Sequence, residues 1–388
     1  VNVHRTSVYL LIVTVISLIA LGLVMMSSTS AYAPESHGDA TFLLRRQAEW
    51  LALGVCVFAI AAAVDYHVLQ KTWWILLAAS LALLALCYAP RFCHLINGSR
   101  RWIQLGPVRF QPSEFAKLAA VSAVAWVLSR DEKHPRQFLR GFVAPLAAAG
   151  ILMALIAPEV DMGCTALIGA TTLILMFIAG TRLLYLVPMM MAGFGGIVVV
   201  AMKMPERVGR VMAYLNPEKY PKEAFQGLQG LIALGSGGVE GLGLGNGRQK
   251  MMYLPFAHTD FIFPVIGEEL GLRCTLAVVF AYILFILCGA VIAMRARDRF
   301  GMLLGFGVTV IIALQAAINI GVTTTLLPNK GLPLPFISYG GTNLVFCLLG
   351  VGILVNIYRN GVTDKEEKSG GGVTINARIR KPFRMVRL

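Results

Sequence analysis

Asp260 stands in the run His258-Thr259-Asp260-Phe261-Ile262-Phe263, where a polar stretch gives way to an apolar one. An aspartate at such a boundary has two readings. It can cap a helix by accepting orphan backbone N–H groups. It can also serve as a general base or a metal ligand, because desolvation beside apolar surface raises a carboxylate toward the working range of a base. Glu114 and Lys117 lie three residues apart, on one face of a helix. They read either as a mutually neutralising pair that lets the helix insert or as the lining of a polar cavity. Glu268 and Glu269 follow Asp260 inside the apolar block, and Glu269 with Arg273, four residues on, reads as a structural pair. Glu159 and Asp161, in Pro158-Glu159-Val160-Asp161, read as part of a solvated turn.

The cations cluster too. Arg100, Arg101 and Trp102 form a basic-aromatic group, in which the tryptophan is either an interfacial anchor or a platform for a sugar ring. Arg248 and Lys250 follow a glycine-rich run and suit phosphate, arginine as a bidentate fork and lysine as a point charge. The run Gly241–Gly247 looks superficially like a nucleotide-binding loop, but no strand–helix unit of a soluble α/β domain follows it, which rejects that reading. Pro328 to Gly341, with Lys330 and Ser338 inside it, is a Pro/Gly-broken approach to the last apolar block. Irregular backbone at membrane depth is tolerated where it is buried or lines a cavity. Seven cysteines, an odd number mostly inside apolar blocks, argue against a disulfide framework, and Cys93-His94 lacks metal-site spacing.

The elements that position these residues are membrane helices. Of 388 residues, 57% are hydrophobic and 14% charged, against about 25% charged in soluble chains. The apolar residues form solid blocks rather than stripes. Ten spans are expected, at 7–29, 47–64, 72–90, 112–129, 140–157, 164–180, 183–202, 262–294, 302–325 and 340–358, in an all-α integral membrane fold. The eighth is long enough to tilt or kink. The first is too long for a cleaved leader and reads as a retained span. An even number puts both termini on one side, and Arg130, Lys133, Arg136, Arg140, Arg182, Arg295, Arg297 and Arg299 make that side cytoplasmic. The membrane domain is expected over 1–360, with a flexible basic cytoplasmic tail over 361–388. The net charge of +14 is then a topogenic signal, and no nucleic-acid partner is expected. The outer side nevertheless holds Arg91, Arg100, Arg101, Arg109, Lys203, Arg207, Arg210, Lys219, Lys222, Arg248, Lys250 and Lys330, an excess that means either a topology drawn wrongly or an anion bound at the outer surface. Residues 203–261 form one long outer segment between spans seven and eight, apolar enough to fold back on the bundle.

Four blocks in order carry a resemblance: Gly98-Ser99-Arg100-Arg101-Trp102-Ile103 with Gln111–Lys117; Gly235–Gly238 through Gly245–Lys250; His258–Phe263 with Gly267-Glu268-Glu269-Leu270-Gly271; and Gly331–Gly341. The chain resembles the FtsW/RodA/SpoVE (SEDS) family over nearly its whole length. Asn246-Gly247-Arg248-Gln249-Lys250 and Gly267-Glu268-Glu269 look like the cell-division branch, FtsW. Phe256 stands where a glutamate often precedes the Ala-His-Thr-Asp run, Pro264 replaces a small residue, and Thr342-Asn343 replace Ser-Ser. The resemblance implies a peptidoglycan glycosyltransferase that polymerises lipid II into β-1,4 glycan at the outer face of the bacterial inner membrane, for septal wall. It implies an inverting transfer from an undecaprenyl-pyrophosphate-linked donor. Asp260 matches the family's essential aspartate, as base or as ligand of a divalent cation (Mg or Mn), with no organic cofactor. Glu114 and Lys117 match cavity residues and Trp102 an outer-loop tryptophan; His258, Lys330 and Ser338 lie in matching blocks as further substrate contacts. Arg101, Arg248 and Lys250 are candidates for phosphate, from the outer charge excess. The implied partners are a class B penicillin-binding protein transpeptidase and other division membrane proteins. A lipid II flippase and a non-catalytic scaffold are the competing functions.

Overall fold

A computed structural model describes residues 3–32, 39, 41–89, 93, 101–105, 108–131, 134–159, 161–202, 205–251 and 253–369. Arg91, Gly98 to Arg100, Lys133, Lys203 and residues 370–388, all invoked above, lie outside the described residues. The helices are α1 (Val3–Thr29), α2 (Phe42–Ala63), α3 (His67–Leu86), α4 (Pro112–Ser129), α5 (Ala144–Ile156), α6 (Met162–Ala179), α7 (Leu183–Met202), α8 (Pro205–Leu215), α9 (Pro221–Gly237), α10 (Ile262–Met294), α11 (Arg299–Thr323) and α12 (Gly341–Ser369). Among the described residues, eight helical segments are long and apolar enough to cross a membrane. Helices also form over the other two expected spans, α4 and α7. Glu114 and Lys117 lower the apolar character of α4, but both are buried against neighbouring helices.

The pattern of exposure is that of a bundle in lipid. Leu184, Met191 and Phe280 point outward at 75%, 71% and 65% exposure, while Glu114, Gln315 and Asn319 are buried. Apolar surface on that scale would drive association in water; in a bilayer it meets its solvent. Inside, α11 packs against α4, α6, α10 and α12, and α2 lies along α12.

Three features depart from the expected elements. A two-stranded antiparallel hairpin, β1 (Ile103–Leu105) and β2 (Val108–Phe110), precedes α4. The long segment after α7 carries two helices, α8 and α9, and α9 docks on α10 and α11. That docking bears out a segment folded back on the bundle. Finally, α12 continues to Ser369, past the expected start of the tail.

The long block at 262–294 is a broken helix. Gly271 has φ 75° and ψ −176°, which interrupts α10. A Cβ there would meet backbone atoms of Val239, Glu240 and Gly241 at 2.5–2.6 Å, so only glycine fits. The glycine-rich segment occupies the gap and pairs with both broken ends. The N–H groups of Leu242 and Gly243 donate to the carbonyls of Glu268 and Glu269 (2.9 Å each), and those of Leu272 and Arg273 donate to Gly238 and Val239 (2.9 and 3.4 Å). Backbone groups freed by the break are thus satisfied by protein, as the bilayer requires.

At the opposite end of the bundle, Asp298 caps α11 by accepting from the N–H groups of Phe300 (3.0 Å) and Gly301 (3.3 Å). It also accepts a short hydrogen bond from the Tyr66 hydroxyl. Asp298→Ala loses both, and we expect about 2–4 kcal/mol of destabilisation. Thermal unfolding of the detergent-solubilised variant checks this; Asp298→Asn should recover most of the loss.

Candidate active site

Asp260 lies at the mouth of α10, but it is not the helix cap. The cap position is Phe261, with no side-chain cap bond. Asp260 is held through its backbone: Asn319 Nδ2 on α11 donates to the Asp260 carbonyl (2.8 Å) and to the Leu332 carbonyl (2.6 Å). That one amide joins the turn segment before α10 to the broken segment before α12. The two segments are further laced together. Ser338 Oγ donates to the Thr259 carbonyl (2.6 Å) and accepts from Leu334 N–H (2.8 Å), and Tyr339 N–H donates to the His258 carbonyl (3.0 Å). The Tyr282 hydroxyl reaches the Pro335 carbonyl at 2.5 Å, and Gln315 Nε2 reaches that of Pro333 at 2.8 Å. Buried polar side chains thereby satisfy irregular backbone at membrane depth.

The Asp260 carboxylate itself accepts no hydrogen bond from the described residues, and it is partly exposed. A Cβ on Gly331 would stand 2.5 Å from its Oδ2, so the broken segment presses directly on the carboxylate. Burial pushes Asp260 up to about 6, with the charge of Asp161 adding and Arg101 opposing. Both of those charges therefore act on the Asp260 position. Asp161 is itself fully engaged: it accepts from Cys164 N–H (3.1 Å), capping α6, and from Ser113 Oγ (3.0 Å) and Gln111 Nε2 (3.1 Å). Arg101 is half-buried, and its Nε has no hydrogen-bond partner among the described residues.

The expected solvated turn at 158–161 is corrected: Glu159 and Asp161 are 2% and 3% exposed. Their signal in the sequence was indirect, an Asp placed to cap a helix directly after a proline turn. Lys330, also near the site, brings its Cε within 3.2 Å of where a Cβ on Gly163 would be, at the start of α6. His258 is partly exposed and meets Tyr339 edge-on at 6.0 Å between ring centroids. Trp102 is half-buried beside Arg101 at the entry to the hairpin.

Four expected site residues are engaged within the fold. Lys250 is buried in an ion pair with Glu269 (2.6 Å) and donates to Ser28 Oγ (2.7 Å), so its charge is not presented to a phosphate. This also corrects the Glu269–Arg273 pair: Arg273 instead meets Glu240 at the surface, at 3.3 Å. Ser338 is buried and braces backbone. Glu114 and Lys117 form a closed pair (2.6 Å), extended by Asn343 Nδ2 to Glu114 (2.9 Å) and by Lys117 to Gln315 Oε1 (2.7 Å). The void beside them is about 30 Å³, room for about one water. Arg248 remains exposed, with its backbone N–H on Glu268 Oε1 (2.8 Å). A larger cavity of about 150 Å³ opens between α8, α9 and the end of α11, lined in part by Arg210, Tyr214, Glu223 and Asn329.

A metal ion at this end would find few protein ligands. Among the described residues no group of three or more His, Cys, Asp or Glu side chains could hold one. A single carboxylate is still compatible with Mg²⁺, which keeps several waters and takes one or two carboxylates together with substrate phosphates.

These features define a polytopic helical membrane protein in which a broken re-entrant backbone holds a carboxylate at one end of the bundle, within the field of an arginine. The chain belongs to the FtsW/RodA/SpoVE family: the family model, described as a cell cycle protein, matches residues 8–362. It is 36% identical over 358 residues to a probable peptidoglycan glycosyltransferase FtsW of Geobacter metallireducens, covering 92% of this chain and 95% of the relative. It is 37% identical over 353 residues to stage V sporulation protein E of Bacillus subtilis, covering 90% and 96%. Among solved structures it resembles a chain from work on the coordination of polymerization and crosslinking by a peptidoglycan synthase complex (TM-score 0.74, 26% identity, 90% and 97% covered). It also resembles the rod shape determining protein RodA of Thermus thermophilus (TM-score 0.66, 26% identity, 90% and 96% covered).

Proposed function

We propose that this protein is an inverting peptidoglycan glycosyltransferase that polymerises lipid II at the outer face of the inner membrane, for septal wall, with both termini cytoplasmic. The observation that carries the reading is Asp260: a carboxylate with no capping role, anchored by its backbone, with room beside it only for a glycine at 331 and with the charge of Arg101 acting on it. The 4-hydroxyl oxygen of the acceptor sugar attacks the anomeric carbon of the donor, and its proton passes to Asp260. The bond to pyrophosphate breaks on the opposite face, and its electron pair leaves with the lipid. Arg101, Lys330 and Arg248 are assigned to the departing phosphates, where preorganised cations lower the barrier. A divalent cation held by Asp260 would supply further positive charge there. Trp102 and His258 are assigned to the sugar and its approach. The excess of outer cations fits an anionic lipid headgroup, and a class B transpeptidase fits as the partner that cross-links the product.

The closed Glu114–Lys117 pair, with a void for about one water beside it, favours surface chemistry over passage of a headgroup through the bundle. The experiment is polymerisation of lipid II by the purified protein in detergent micelles, with its partner's transpeptidase blocked. Glycan chains are expected. Translocation of labelled lipid II in vesicles without polymer in micelles would point to a flippase, and neither activity to a scaffold.

Gly331 gives a sharper prediction. An alanine there meets only the movable end of the Asp260 side chain. Gly331→Ala should therefore lower kcat by about 10- to 100-fold, as a misplacement of the order of 1 Å does. Its melting temperature should stay close to that of the wild type.

A further inference from the structure

Cys87 ends α3 on the same side of the bundle as Asp260, and residue 93 folds back onto it through a Cys93 N–H to Ala89 carbonyl bond of 3.3 Å. Both cysteines are buried and, with Ile103, form a small apolar cluster separate from the main core. Cys93 is bridged antiparallel to Ile103, and its thiol donates to the Trp102 carbonyl at 3.1 Å. Cys93 thus joins the end of α3 to the segment that carries Arg101 and Trp102. Cys87 and Cys93 therefore share one buried cluster at the end of α3.

We propose that Cys87 and Cys93 form a disulfide that fastens the Arg101–Trp102 segment to the end of α3; this rests on the outward orientation of the site proposed above. The bond forms by thiol–disulfide exchange with an external disulfide oxidant. One thiolate attacks that disulfide and the second displaces it. The two cysteines give up two protons and two electrons, and the oxidant leaves as two thiols. Oxidising compartments sustain such bonds, and the cytosol does not. Both thiols are closed off from solvent in the folded chain. Exchange therefore belongs to folding, before the cluster closes, and the finished bond resists reduction. The odd count is then resolved, with Cys56, Cys164, Cys274, Cys288 and Cys347 left as thiols.

The test is differential alkylation of the full chain taken from its native membrane. Cells are quenched in acid, free thiols are blocked with one maleimide in denaturant, and the protein is reduced and labelled with a heavier maleimide. Mass spectrometry is expected to find the heavy label on Cys87 and Cys93 and the light label on the other five. A light label on both would overturn the proposal. A second arm places a reporter cysteine at the exposed turn between α8 and α9, Glu218→Cys, and treats intact cells with an impermeant maleimide, with the outer wall made permeable to it. Labelling of the reporter together with free Cys87 and Cys93 refutes the disulfide and leaves the orientation standing. An unlabelled reporter refutes the orientation, and the disulfide proposal falls with it.

Discussion

Asp260→Asn is expected to lower polymerisation by about 10²- to 10⁴-fold, the usual contribution of a positioned acid or base, while leaving the protein at least as stable at pH 7. The stability half follows from linkage. Asp260 is raised in the fold to about 6 from an ordinary 3.8, by burial first and Asp161 second. A carboxylate raised in the fold contributes stability below its unfolded value, and that contribution is lost as pH rises through about 6. At pH 7 the native group is ionised at a cost to the fold, and a neutral amide of the same shape removes that cost. A residue kept only for structure would behave the opposite way, with stability falling and activity following it. Polymer assays and thermal unfolding on the same preparation separate the two. Unchanged polymerisation by a well-folded variant would remove Asp260 from the chemistry.

The largest stability effect is expected at Glu269. Its carboxylate is fully buried and receives Lys250, Ser28 Oγ (2.8 and 2.7 Å) and the N–H of Gly245 (3.1 Å). Glu269→Ala leaves Lys250 as an uncompensated buried charge, which costs about 3–5 kcal/mol. Because the glycine-rich segment fills the break in α10 and is tied there by this pair, the loss should appear as local opening before global melting. Hydrogen exchange at Leu242 and Gly243 would rise first. A double variant, Lys250→Met with Glu269→Gln, removes both charges and should recover a large part of the loss. If Glu269→Ala alone melts like the wild type, the pair does not hold the segment.

Much of the architecture was legible because lipid imposes one rule on every span. Blocks at 112–129, 183–202 and 262–294 coincide with α4, α7 and α10. The interior of the site was less legible, because pairing across the bundle leaves no local trace. Glu269 and Arg273 have the spacing of a helical pair, but Gly271 between them breaks the helix and turns them to different partners. Lys250 follows a glycine run as a phosphate-binding lysine would, and only the fold reveals Glu269 across from it. Glu159 and Asp161 have the composition of a solvated turn but are buried, Asp161 where it accepts from Gln111 and Ser113 at the start of α4 and caps α6. Asp260 was ambiguous between cap and catalyst in the sequence. The position of Phe261 as the cap resolves the first half of that choice.

The pH–rate profile of lipid II polymerisation, measured for the wild type, Asp161→Asn and Arg101→Gln, tests the central claim most directly. If Asp260 must be ionised to act, the wild-type rate rises with pH through an inflection near 6. Removing the like charge of Asp161 then moves the inflection to lower pH, and removing the opposing charge of Arg101 moves it higher. An inflection that stays fixed in both variants, or a rate flat from pH 5 to pH 8, would contradict an ionised Asp260 as the group that carries the reaction.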